Sequence, residues 1–117
     1  MTGFDEFLSR LGLLHDCTVT SFAWQPSDKK IVLEIKDFYW NFEGLPEYRG
    51  PASGQITLEG VERVEISIDN NKSPLRIYEF STESNSSGLS KVLVTFSPAG
   101  KIAVTCRHTI FPDIPLP

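Results

Sequence analysis

The chain has 117 residues, 40% of them hydrophobic and 22% charged, with a formal net charge of −4 at pH 7. That length makes one domain able to bury about two-thirds of its unfolded surface without crosslinks, and the composition excludes a disordered chain. The acidic balance argues against a nucleic-acid binder, which needs a basic face against phosphates.

The opening stretch MTGFDEFLSRLGLL has no basic n-region, no long apolar core and no small-residue cleavage site, so it does not read as a signal peptide. No run approaches the roughly 18 consecutive apolar residues of a membrane span. Two cysteines without an export signal lead us to expect a cytoplasmic protein with reduced thiols and no membrane association. Asn85-Ser86-Ser87 fits a glycosylation sequon, but in that setting it is only a loop.

In chain order, residues 4–11 read as one short helix. Phe4, Phe7, Leu8 and Leu11 recur at helical spacing, Asp5 and Glu6 suit the first turn, Thr2 is placed to cap it, and Gly12 stands where a C-terminal glycine belongs. A helix this short is marginal without packing, so it should plug an open face or end of a sheet. From residue 17 the period becomes two. Residues 17–24 alternate imperfectly, with Cys17, Val19 and Ser21 on one face and Phe22 and Trp24 on the other. QPSDKK is turn chemistry, and Ile31, Leu33 and Ile35 alternate cleanly. The phase slips near Asp37, which predicts a bulge or bend that turns Phe38, Trp40 and Phe42 inward.

GLPEYRGPASG (44–54) is a loop. Ile56 and Leu58 open another strand; Val64, Ile66 and Ile68 open the next. DNNKSP (69–74) is a turn and LRIYEF (75–80) a strand. STESNSSGLS (81–90) should be a mobile hairpin tip. Val92, Val94 and Phe96 pair through SPAGK with Ile102, Val104 and Cys106, and the proline-rich tail 111–117 cannot be a central strand. The prediction is a single domain, 1–117. It comprises a helical segment 1–12, a β-body 13–110 and the tail. The class is all-β, a mainly antiparallel sandwich or curved meander of seven to eight strands with one short N-terminal α-helix.

The histidines and cysteines form two mirrored pairs, His15-x-Cys17 and Cys106-x-His108. Residues two apart on a strand share a face, so neighbouring segments would present a tetrahedral zinc set. Against this, His15 precedes the first strand and both cysteines continue a buried apolar alternation, so we expect no metal and no other cofactor. His15-Asp16 resembles the dipeptide of all-helical metal-dependent phosphohydrolases, but those require further ligands from several helices. A Cys106/His108 dyad lacks an orienting third group. No Gly-rich phosphate loop, G-x-S-x-G elbow or H-E-x-x-H motif is present, and no catalytic residue is predicted.

DFYWNFEGLPEY (37–48) concentrates Phe38, Tyr39, Trp40, Phe42 and Tyr48 in a few positions among acidic residues. Parity puts Phe38, Trp40 and Phe42 in the core. It leaves Tyr39 and Tyr48, flanked by Glu43, Glu47 and Arg49, as the candidate binding surface.

Leu14, His15, Asp16 and Val19, together with Leu58, Glu59, Gly60 and Val61, carry a resemblance. The chain is similar to small uncharacterised bacterial β-domains with an L-H-D-x-x-[VI] turn and an F/L-E-G-V strand end, some of them similar to polymorphic-toxin immunity proteins. The resemblance implies a β-domain that binds a protein and supplies no catalytic residue; the aromatic stretch 37–48 departs from the pattern. The expected function is a non-enzymatic cytoplasmic binding domain for a protein partner. A small-molecule or lipid-binding β-domain is the alternative, and a metal-dependent hydrolase a more remote one.

Overall fold

A computed structural model describes residues 3–48, 50–68, 75–84, 87–97, 99–112 and 114. Thr2, Arg49, the turn 69–74, Asn85-Ser86 of the sequon, Pro98 and most of the tail lie outside the described residues. The elements are helix α1 (Phe4–Arg10) and strands β1 (Thr18–Gln25), β2 (Lys30–Ile35), β3 (Gly54–Glu59), β4 (Arg63–Ser67), β5 (Leu75–Ser84), β6 (Ser90–Ser97), β7 (Lys101–Cys106) and β8 (His108–Ile110).

Helix α1 buries Phe4 and Leu8 and is capped at Gly3 without a side-chain cap bond. It ends one residue short of the predicted span, at Arg10. Its phenyl rings fill the space over the sheet. Phe4 meets Phe80 edge-on at 5.6 Å, Phe7 meets Phe38 at 5.8 Å, and both stack near Phe111 at 5.4 and 4.6 Å. The helix is therefore the plug that its length required.

All strand pairs are antiparallel in one eight-stranded sheet of order β4-β7-β6-β5-β1-β2-β3-β8. Sequence-consecutive pairs β1-β2-β3 and β5-β6-β7 form the body of each half, β8 adding beside β3 and β4 beside β7. The halves join through two paired positions between β1 and β5, Thr18 with Arg76 and Val19 with Leu75. On the far side the chain itself crosses between halves. The Arg107 amide donates to the Glu59 carbonyl at 3.0 Å and the Glu62 amide to Thr105 at 2.8 Å. At this corner Gly60 has φ +66°, and a Cβ there would lie 2.9 Å from Arg107 Cβ, so the crossing needs glycine. The outermost strands β4 and β8 do not pair with each other, and the sheet is not a closed barrel.

Register shifts explain the irregular alternation. The β1 ladder slips between Val19 and Ser21, after which Phe22 and Trp24 lie opposite the core residues Leu33 and Ile31. A second slip in β5, between Ile77 and Glu79, sets Tyr78 outward with 58% exposure.

Two expectations are corrected. Near Asp37 the chain leaves the sheet after Ile35 and makes a 3-10 turn at Trp40–Phe42. Side chains in such a turn advance by a third of a circle, so period-two parity fails there. Phe38 is fully buried as expected, but Tyr39 is 9% exposed and Trp40 42%, the reverse of the predicted arrangement. The tip predicted over 81–90 is shorter than expected, since β5 runs to Ser84 and pairing continues to Ser84–Ser90. Its small polar side chains do not hinder backbone pairing on a solvent-facing hairpin.

Candidate functional site

Alternation at the start of β1 determines the site. Cys17, Val19, Ile35 and Ile77 point inward and are buried, so their neighbours Thr18, Lys36 and Arg76 point outward. Thr18 is the register partner of Arg76, and the Lys36 amide donates to the Thr18 carbonyl at 2.9 Å. Lys36, Thr18 and Arg76 thus form a lateral row across three adjacent strands. The segment after Asp37 folds over this row and brings Trp40, Tyr48 and Pro51 to its side. Between them lies a cleft of about 410 Å³, with Cys17 and Asp37 also in its lining and Asp16 beside them.

Asp37, 4% exposed, holds the loop. Its Oδ1 accepts the Tyr39 amide at 2.9 Å and the Ala52 amide at 3.0 Å, and its Oδ2 accepts the Tyr48 hydroxyl at 2.7 Å. Three donors compensate a buried carboxylate that would otherwise be costly. The same hydrogen bond, with a smaller contribution from burial, pushes the Tyr48 phenol up to about 12. Burial, then the Asp37 charge, pushes the Cys17 thiol up to about 12. Cys17 is a protonated thiol, poorly suited to nucleophilic attack.

The backbone that leads to Asp16, at the edge of the cleft, is strained. Gly12, Leu13, Leu14 and Asp16 all have left-handed φ, between 55° and 67°. Each non-glycine residue there costs on the order of 1–2 kcal/mol. The contacts that hold it are the Asn41 side-chain amide donating to the Leu11 carbonyl at 3.0 Å and the Asp16 amide donating to the Ile77 carbonyl at 2.7 Å. This turn aims His15 at the β5 bulge. Its Nδ1 lies 2.7 Å from the Tyr78 carbonyl, which can only accept, so Nδ1 carries the proton. Nε2 is 3.6 Å from an Asp16 carboxylate oxygen.

The paired zinc arrangement is not assembled. Cys17 is bonded through its carbonyl to the Ile77 amide at one end of β5. Cys106 pairs with Ser90 at the opposite end of β6, and His108 faces Glu59 on β8. Among the described residues, no group of three or more His, Cys, Asp or Glu could hold a metal ion. Cys106, pushed up to about 11 by burial, is a core residue like Cys17.

Of the predicted binding residues, Glu43 and Glu47 are exposed, Tyr48 is half-buried with its hydroxyl on Asp37, and Tyr39 is withdrawn into the core. Arg49 lies outside the described residues. Sequence reasoning missed Thr18, Lys36, Trp40 and Arg76. The phase slip at Asp37 was the one available signal for Lys36 and Trp40. Nothing local marked Arg76, which reaches the site through β1–β5 pairing.

No family model matches the chain, and no curated protein matches it. Among solved structures, the crystal structure of an uncharacterized protein from Neisseria gonorrhoeae is similar, with a TM-score of 0.60 at 12% identity, over 86% of this chain and 93% of that one. At that identity the likeness concerns the fold alone.

Proposed function

We propose that this chain is a non-enzymatic, cytoplasmic, immunity-protein-like binding domain that recognises a protein partner through the surface around the cleft. The observation that carries this reading is Trp40, 42% exposed beside Arg76 and Tyr48 above a core already filled by aromatic rings. Trp, Tyr and Arg are the residues on which interface energy concentrates. The groups able to do chemistry are otherwise engaged. The Cys17 thiol is protonated, the Asp37 carboxylate holds three donors, and His15 is bonded to a backbone carbonyl.

The test uses wild type, Trp40→Ala and Trp24→Ala as baits, followed by calorimetric titration of the repurified captured protein. Trp24 is equally exposed, at 47%, but lies at the far end of β1. A protein held by wild type and Trp24→Ala but not by Trp40→Ala supports the reading. Retention by all three removes it. A small-molecule ligand is the second reading, because the cleft volume is within the range of such sites. The lipid version is disfavoured, since the rings that would line a cavity stack on one another.

A further inference from the structure

Most of the cleft's unspent hydrogen-bonding capacity lies in donors. Asp37 already accepts three donors, and Tyr48 spends its hydroxyl hydrogen on Asp37. Among the described residues, Arg10, Arg63 and Arg107 each pair with a glutamate, while Arg76 pairs with none. Lys36 has no acidic partner either, and neither the Thr18 hydroxyl nor the Trp40 indole N–H has a hydrogen-bond acceptor there. Two cations and two neutral donors therefore line one cleft with their hydrogens unreceived. The cleft also holds the Asp16 carboxylate, 3.6 Å from His15 Nε2; with the ring proton on Nδ1 this nitrogen donates nothing, so Asp16 keeps its acceptor capacity at the His15 side of the cleft.

Resting on the protein-binding reading, we propose that the cleft receives an acidic side chain of the partner, its carboxylate on Arg76 and Lys36 and its flanking apolar residues against Trp40. A guanidinium matches a carboxylate with two parallel hydrogen bonds, and the ammonium beside it adds charge. Trp40, 42% exposed, supplies apolar area next to those cations. The pair also stands out on a chain of net charge −4, so an acidic group is attracted here and repelled by the remaining surface.

The test is a nitrogen-15 NMR titration of the full chain with acetyl-Leu-Glu-Leu-amide, with its glutamine counterpart, and with propionate. The glutamate peptide should move the Thr18 and Arg76 amides and the Trp40 indole saturably. Affinity should fall roughly tenfold or more for the glutamine peptide and for Arg76→Gln or Lys36→Gln. Both side chains are exposed, and an unchanged spectrum away from the cleft shows that the variants fold. Equal binding of the two peptides, or shifts elsewhere, overturns the proposal. Propionate binding as tightly as the glutamate peptide also overturns it, in favour of a small free acid. A glutamate peptide that fails to bind, while Trp40→Ala still releases the captured protein, refutes the acidic group and leaves the protein partner standing.

Discussion

The Tyr48 hydroxyl donates to the buried Asp37 carboxylate at 2.7 Å, and this bond closes the loop that forms one wall of the cleft. Its electrostatic consequence is a phenol raised from its ordinary value of 10 to about 12. A group whose folded-state value is raised contributes stability in full below its unfolded value and loses it as pH rises through the folded one. The contribution should therefore be intact below pH 10 and lost on the way to about pH 12. Absorbance at 295 nm should show a late tyrosine step from Tyr48. Tyr48→Phe should remove that step, and Asp37→Asn should shift it to lower pH. A late step unchanged in Asp37→Asn would detach the effect from this bond.

The aromatic stretch makes a second prediction. Phe38→Ala should cost about 3–5 kcal/mol, because the ring is wholly buried against Phe7. Tyr39→Ala should also cost several kcal/mol, its ring being buried beside Phe42 at 6.4 Å. Trp40→Ala should cost well under half of either. Urea melts of the three variants check the order, and a Trp40 variant as damaging as Phe38→Ala would contradict an exposed indole.

Both thiols are buried and raised, Cys17 to about 12 and Cys106 to about 11. Neither carries appreciable thiolate at pH 8, so a disulfide reagent should find no rapidly reacting thiol in the folded protein and two in guanidinium. Cys17→Ala and Cys106→Ala should each cost roughly 1 kcal/mol through packing alone. A fast native-state reaction at one site would mean that its surroundings open.

Gly12→Ala should destabilise by about 1–2 kcal/mol. The position has φ +66°, and a Cβ would lie 2.9 Å from the Asn41 side-chain nitrogen. That nitrogen cannot retreat without losing its bond to the Leu11 carbonyl. Thermal melts of Gly12→Ala alone and with Asn41→Ser separate the two causes. Relief of part of the loss in the double variant assigns that part to the contact.

Where a repeating physical constraint acts on consecutive residues, the sequence was readable. Ile31, Leu33 and Ile35 alternate because β2 is buried on one face, and Phe4 and Leu8 share a helix stripe for the same reason. Parity failed from Asp37 onward, because the turn rotates successive side chains by a different angle, and Tyr39 and Trp40 changed places. The predicted surface was located correctly only in part. Tyr48 borders the cleft, yet its partners Lys36, Thr18 and Arg76 come together by long-range register, which no local pattern encodes. The mirrored His/Cys segments attracted chemical interest through symmetry of spelling, while pairing sets Cys17 beside Ile77 near the start of β5 and Cys106 beside Ser90, whose own partner is Ser84 at the end of β5.

Beside the cleft, the ladder between the two halves of the sheet is the short one between β1 and β5, while the chain crossings at 59–62 and 105–107 join them on the far side. A seam with few backbone hydrogen bonds is where local opening costs least. Thr18 and Arg76 stand on opposite sides of that seam, and both belong to the cleft. The breathing motion of the fold and the width of the cleft are therefore one coordinate. Whatever clamps Arg76 to the β1 side of the cleft also staples the halves together, so binding there should slow amide exchange in strands that the partner never touches.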